Sequence, residues 1–132
     1  MSLENSTGEP AQDAATNSLI SVVDDDRSMG RMLARIIGAA GLKVAVFTSA
    51  EEFLGSERLH DSACLVLDVD LPGMSGLELQ QQLKDSGQRI PIIFISGQAT
   101  ERTRERALNA GAVGFFDKPF SISSLLTAIQ SV

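Results

Sequence analysis

Residues 64–79, CLVLDVDLPGMSGLEL, place two carboxylates at the end of an apolar run. Residues 64–67 are typical of a buried strand, and Asp68 follows them directly. Removing an ionised carboxylate from water is costly unless a cation or hydrogen-bond donors offset its charge. Asp68 therefore marks either the point where a strand meets solvent or a functional site.

Four other short apolar runs have strand character and recur along the chain at similar spacing. Because they are apolar throughout rather than alternating, we expect both faces of each strand to be buried, as in a parallel sheet covered by helices. With the run that ends at Asp68, they predict five strands that alternate with five helices, a doubly wound α/β domain. The four runs are LISVV (19–23), KVAVF (43–47), IIFIS (92–96) and VGFFD (113–117).

The segments between these runs have helical patterns. Apolar residues fall on one helical face in 29–37, which Gly41 ends, and in 122–129, where Ser121 is a plausible N-cap. Shorter helices are predicted in 49–54 and 76–87. The segment TERTRERALNAG (100–111) has Leu108 as its single large apolar residue, so we expect its helix to pack weakly and to shift at low cost.

Composition fits one domain and excludes several classes of function. The chain has 132 residues, 43% of them hydrophobic, and no apolar run approaches the length of a membrane span. The net charge of −6 arises in residues 1–26, and residues 27–132 have equal numbers of acids and bases. No basic surface for nucleic acid is expected. The absence of a signal-like leader and the single Cys64 favour a cytoplasmic, reducing environment.

The first seventeen residues are polar and aperiodic. They predict a disordered tail over 1–17, and MSL at the start resembles a cloning remnant. The folded domain is expected to span 18–132. The single histidine, His60, lies in the polar stretch SERLHDS and is interpreted as a solvated loop residue rather than a metal ligand.

Polar residues follow four of the predicted strands where each strand ends. Right-handed crossovers bring the carboxyl ends of parallel strands to one edge of the sheet, which is where such folds bind ligands. Three clustered carboxylates repel one another, and their oxygens are the ligands that Mg²⁺ prefers. A carboxylate beside Mg²⁺ can attack phosphorus, with an amine and a hydroxyl as donors to the phosphoryl oxygens. The residues are Asp24 and Asp25, Asp68, Ser96 and Lys118.

Each of these residues also has a plainer interpretation. DDD before Arg27 is more often a solvated turn, Ser96 before Gly97 a strand-end turn, and Lys118 before proline a surface lysine. Their expected convergence at one edge is what favours a site.

At these residues the sequence resembles the receiver domains of two-component response regulators, the chemotaxis-regulator-like family. The resemblance covers residues 19–132 and implies a flavodoxin-like (βα)5 domain with a parallel sheet of strand order 2-1-3-4-5. SAEEFL and GAVGFFDKPF more weakly resemble the subgroup that carries a C-terminal helix-turn-helix output domain. The matching motifs are VVDDD, LVLDVDLPGMSG, FISG and GAVGFFDKPF.

The resemblance implies a role for each site residue. Asp68 becomes the phosphoacceptor, and Asp25 and Asp68 become direct Mg²⁺ ligands. The backbone carbonyl of Asp70 is implied as a further ligand, and Asp24 as one that acts through water.

The remaining implied roles concern the phosphoryl group and the switch. Lys118 would contact the phosphoryl group, and the Lys118–Pro119 bond would be cis. Ser96 would be the switch hydroxyl, where threonine is more frequent in the family. Phe115 would be the switch aromatic, and because it lacks a hydroxyl it would act by packing alone.

The implied function is Mg²⁺-dependent phosphoryl transfer from a sensor histidine kinase or phosphotransfer protein to Asp68. The transfer would switch the face formed by residues 100–132, which is also a candidate homodimer surface. The domain would catalyse its own phosphorylation and dephosphorylation but act mainly as a signalling switch. Neither nucleic acid nor membrane is expected as a direct partner.

Two alternatives stay open from the sequence. LDVDLPG also resembles the Asp-x-Asp nucleophile motif of haloacid-dehalogenase-type phosphatases, in which Asp70 would drive turnover. The motif order opposes this, because DDD precedes Asp68 and no acid follows Lys118. The second alternative is a receiver-like interaction module that is never phosphorylated.

Overall fold

The computed structural model describes residues 18–132, which form a five-stranded parallel sheet. The strand order is β2-β1-β3-β4-β5, so the predicted doubly wound, flavodoxin-like architecture is confirmed. The predicted tail, 1–17, lies outside the described residues. The strands are β1 (Leu19–Val23), β2 (Lys43–Phe47), β3 (Ser62–Asp68), β4 (Ile92–Ser96) and β5 (Gly114–Asp117).

Within residues 18–132, six helices connect and follow the strands, one more than the sequence predicts. The β2–β3 connection contains two short helices, because the first of them ends at the Gly55 cap. His60 lies in the second of these and not in a loop, although it is exposed as expected. The helices are α1 (Arg27–Ala39), α2 (Ala50–Leu54), α3 (Arg58–Asp61), α4 (Gly76–Asp85), α5 (Glu101–Asn109) and α6 (Ile122–Gln130).

The core has two layers, one on each face of the sheet. Successive residues of β3 point to opposite faces, so Leu65 and Leu67 pack under α2 to α5 while Val66 packs under α1 and α6. The prediction that every strand is buried on both faces is wrong for β2, which lies at an edge of the sheet. β2 has a single buried residue, Phe47, and Val46 is 38% exposed, because an edge strand has a neighbour on one side only.

Helix α5 packs weakly, as its sequence predicts. Ala107 is its one buried residue, and the large apolar Leu108 is 42% exposed. Gln80 of α4 holds the carboxyl end of α5, since its side-chain amide donates to the Ala107 carbonyl at 3.0 Å. Within the described residues, no helix is both long and apolar enough to cross a membrane.

Gly76 allows α4 to begin directly against the end of β3. A Cβ at this position would lie 2.4 Å from the Asp68 carbonyl oxygen and 2.9 Å from Val69 Cα. Both atoms are backbone, so neither can move without displacing the strand end that carries Asp68.

We therefore expect Gly76→Ala to lower the free energy of unfolding by about 1–3 kcal/mol. Gly38→Ala is the matched control, because nothing lies within 4 Å of a Cβ at that position. Its free energy of unfolding should rise by about 0.5–1 kcal/mol, since alanine favours the helix more than glycine does. Urea unfolding followed by far-ultraviolet circular dichroism suits a chain without Trp or Tyr. Equal stability changes in the two variants would contradict the close approach.

Candidate functional site

Three carboxylates meet at the carboxyl edge of the sheet. Asp24 and Asp25 follow β1, Asp68 ends β3, and one oxygen from each lies within 4.8 Å of the others. The Asp24 side chain is fully buried and Asp68 is 4% exposed, whereas Asp25 is exposed. The cluster is therefore anchored in the protein but open to solvent on the Asp25 side.

Backbone amides orient the two buried carboxylates. The Asp26 amide donates to Asp24 Oδ1 at 2.9 Å, and the Asp70 amide donates to Asp68 Oδ1 at 2.9 Å. The third aspartate of the DDD triplet has a different task. Asp26 caps α1 by accepting from the amides of Ser28 and Met29, so the triplet divides into two site residues and one helix cap.

Lys118 lies between the two buried carboxylates. Its Nζ donates to Asp24 Oδ2 at 3.2 Å and to Asp68 Oδ2 at 3.3 Å. The position follows from β5, because the Lys118 amide bonds to the Ser96 carbonyl at 2.7 Å as the chain leaves the sheet. The Lys118–Pro119 peptide bond is cis, as the family resemblance implies.

Burial and charge act in opposite directions on the ionisable groups of the cluster. Burial raises the pKa of Asp24 to about 6 although the bond from the Asp26 amide opposes the shift, and repulsion from Asp68 adds to it. Burial also disfavours the Lys118 ammonium. The attraction of Asp68 and Asp24 outweighs that effect, so the pKa of Lys118 is raised and the amine stays charged.

The donor set of this cluster fits a hard divalent cation. All three residues offer carboxylate oxygens, and one ammonium faces them, so negative charge remains in excess. Such oxygens suit Mg²⁺, which keeps several waters and binds through few protein ligands. The exposed Asp25 leaves room for those waters.

Ser96 is at the same edge but faces another acid. Its hydroxyl donates to Asp70 Oδ2 at 3.2 Å and accepts from the Gln98 amide at 3.3 Å. The Asp70 side chain as a partner of Ser96 is absent from the sequence-based prediction, in which the receiver resemblance implies a role for the Asp70 carbonyl and only the phosphatase alternative uses the Asp70 side chain. The position of Asp70 two residues after Asp68 was the available signal.

Phe115 packs below an arginine that the sequence did not single out. Phe115 is 9% exposed, its ring centroid lies 5.9 Å from that of Phe94, and Arg104 Cζ lies 4.7 Å from the Phe115 centroid. Arg104 also forms an ion pair with Asp117 at 2.6 Å. Any turn of Phe115 must therefore displace or carry along a side chain of α5. No sequence spacing marks this contact, because it depends on how α5 lies over β5.

A surface groove lies away from this site. It has a volume of about 820 Å³, lies between α4 and α5, and is lined by residues such as Glu78, Arg106 and Asn109. Ionic chemistry at the strand ends, and not a deep cavity, therefore distinguishes the candidate site.

Comparison with known proteins identifies the family. The family model described as the response regulator receiver domain matches residues 20–130. The chain belongs to this family. It is a receiver domain of the kind found in two-component response regulators. Such domains interact with histidine kinases or phosphotransfer proteins. The haloacid-dehalogenase alternative is therefore set aside.

Three similar proteins illustrate the relationship. Response regulator protein TodT of Pseudomonas putida is 45% identical over 114 residues, covering 86% of this chain and 50% of TodT. Transcriptional regulatory protein FixJ of Azorhizobium caulinodans is 34% identical over 112 residues, covering 85% and 53%. The solved structure of response regulator StyR is 42% identical with a TM-score of 0.81, covering 87% and 58%. This receiver chain thus spans about half the length of the curated relatives it matches.

Proposed function

We propose that Asp68 is the phosphoacceptor of this receiver domain and that the reaction depends on Mg²⁺. The proposal depends on one observation: Lys118 Nζ lies 3.2 Å from Asp24 Oδ2 and 3.3 Å from Asp68 Oδ2. These residues come from three separate strand ends, and a buried ion-pair cluster contributes little net stability because desolvation offsets its attraction, which favours a functional role.

Four residues are the proposed metal-binding set. Asp25 and Asp68 would ligate Mg²⁺ directly, the Asp70 carbonyl would be a further ligand, and Asp24 would act through water. When bound, the ion would offset repulsion among the carboxylates and stabilise charge on the phosphoryl oxygens. This assignment is supported by the carboxylate cluster, whose oxygens lie within 4.8 Å of one another.

The chain's own residues carry the transfer. A carboxylate oxygen of Asp68 attacks the phosphorus of a phosphohistidine on the partner kinase or phosphotransfer protein. The new O–P bond forms as the P–N bond breaks, and the released imidazole takes a proton from solvent. Lys118 then donates to the phosphoryl oxygens, which replace part of its present bonding to Asp24 and Asp68.

The switch begins at Ser96. Its hydroxyl leaves Asp70 and donates to the new phosphoryl group, Phe115 repacks behind it, and Arg104 transmits that movement to α5. Because α5 packs weakly, little free energy is needed to shift it. The face formed by residues 100–132 is then the proposed homodimer surface, and a helix-turn-helix segment beyond the receiver domain is the proposed output. The name of the FixJ relative, a transcriptional regulatory protein, supports the latter.

Incubation with acetyl phosphate, followed by intact-mass spectrometry, tests the proposal. We expect one phosphoryl group per chain with Mg²⁺ present and almost none with excess EDTA. Asp68→Ala should abolish incorporation. Asp61→Ala, which changes an exposed aspartate of α3, should leave it unchanged.

Two outcomes would contradict the proposal. Undiminished incorporation in Asp68→Ala would remove the phosphoacceptor assignment. Absence of incorporation in the wild-type protein with either a small donor or a phosphohistidine donor would favour the alternative of an interaction module that is never phosphorylated.

A further inference from the structure

The loop between β3 and α4, residues 69–75, carries the Asp70 carbonyl. At its base the Gly76 amide donates to the Val69 carbonyl at 3.0 Å. The middle of the loop is exposed at residues 72 and 73, and Gly73 has a left-handed φ of +73°.

Glu51, in the first turn of α2, reaches this loop from another element. Its Oε2 accepts from the Met74 amide at 2.9 Å. The same oxygen would lie 2.8 Å from a Cβ at Gly73, so the carboxylate rests directly against the loop backbone. The bond from the Met74 amide lowers the pKa of Glu51, so the interaction is charge-assisted at neutral pH.

We propose that Glu51 is a positioning residue for the metal site, because it fixes the loop that presents the Asp70 carbonyl. The inference rests on the proposed function, in which that carbonyl is a metal ligand. Without Glu51 the loop must be ordered when the cation binds, and the entropy lost then reduces affinity. Residues that orient ligands in this way typically contribute about 10–100-fold to metal affinity.

The neighbouring Glu52 is a matched control. It is exposed like Glu51 and also bonds a backbone amide, but its partner is Thr48 in the β2–α2 turn, at 2.8 Å. A general effect of removing a carboxylate from α2 should therefore appear in both alanine variants. An effect that acts through the loop should appear only in Glu51→Ala.

The test measures Mg²⁺ affinity by titration calorimetry and amide hydrogen exchange in the metal-free protein. Glu51→Ala should bind Mg²⁺ about tenfold more weakly, at the lower end of that range because Glu51 is exposed, and should exchange the Met74 amide faster. Glu51→Gln, which keeps a carbonyl acceptor, should recover most of both properties. Glu52→Ala should match the wild-type protein in both.

The outcomes separate this inference from the proposed function. If the wild-type protein binds Mg²⁺ but Glu51→Ala binds equally well, or Glu52→Ala loses as much, the positioning role is overturned and the proposed function stands. If the wild-type protein does not bind Mg²⁺, both fall. If Glu51→Ala leaves exchange at Met74 unchanged, Glu51 does not hold the loop, whatever the metal affinity.

Discussion

Asp24→Asn is expected to raise the free energy of unfolding of the metal-free protein by about 1–3 kcal/mol at pH 7. The Asp24 side chain is fully buried, and burial raises its pKa to about 6, with repulsion from Asp68 adding to the shift. At pH 7 the native state therefore holds an ionised carboxylate where a neutral group would be more stable. Asparagine removes the charge and keeps an oxygen that can accept from the Asp26 amide.

The pH dependence of this effect has a defined sign. Because the pKa of Asp24 is raised from 3.8 to about 6 on folding, the native state binds the proton more tightly than the unfolded chain. The contribution of Asp24 to stability is greatest below about pH 4 and is lost as pH rises to and through about 6. The advantage of Asp24→Asn should therefore grow between these pH values and level off above about 7.

Urea unfolding at several pH values, followed by circular dichroism, measures this difference. Asp61→Asn, at an exposed position on α3, is the control and should stay within about 0.5 kcal/mol of the wild-type protein. The same Asp24→Asn protein should bind Mg²⁺ at least about tenfold more weakly, since a carboxylate of the set is gone. A variant less stable than the wild-type protein throughout pH 5–8 would contradict this account of the acidic cluster.

Lys118→Met should slow phosphoryl incorporation from acetyl phosphate by about 100–1,000-fold. Lys118 is the one ammonium bonded to Asp24 and Asp68 among the described residues, and its side chain is 22% exposed. A preorganised cation in a partly buried site stabilises charge that develops on the phosphoryl oxygens, and methionine keeps the volume without the charge.

Two further variants make this measurement specific. Lys84→Met changes an exposed lysine near the end of α4 and should leave the rate unchanged. Lys118→Arg keeps the charge but has a larger planar group, so it should give an intermediate rate. If Lys118→Met incorporates phosphate as fast as the wild-type protein, the lysine has no part in the transfer.

The site residues at the strand ends were predictable because backbone topology places them. Once the runs before Asp24, Asp68 and Lys118 are recognised as parallel strands, their carboxyl ends must share an edge. The strand order is confirmed, and the structure brings these three residues within hydrogen-bonding distance. The chemical roles drawn from the family resemblance stay predictions until the variants are measured.

The contacts that surround the site were not predictable in the same way. Glu51 meets Met74 across 23 residues of sequence, and Arg104 meets Phe115 only because of how α5 lies over β5. Both contacts depend on side-chain conformation and loop geometry, which hydrophobic periodicity does not encode. The exposure of β2 was missed for a related reason, since an apolar run does not reveal whether its strand is central or at an edge.

Gly76 illustrates how the fold and the site depend on each other. The backbone of α4 approaches the Asp68 carbonyl so closely that a Cβ at Gly76 would clash, so the helix start packs directly against the end of β3. The loop between them ends at Gly76, and Glu51 accepts a hydrogen bond from the Met74 amide near that end. The Asp68 carboxylate, the proposed acceptor, accepts a hydrogen bond from the Asp70 amide in this loop.

The most direct measurement is the position of the incorporated phosphoryl group. Treatment of the phosphorylated protein with borohydride reduces an aspartyl phosphate to homoserine, which tandem mass spectrometry locates in the sequence. Homoserine at residue 68 alone, formed only when Mg²⁺ was present, is the result expected here. Homoserine at residue 24, 25 or 70, or a stable phosphate on a hydroxyl residue, would contradict the account.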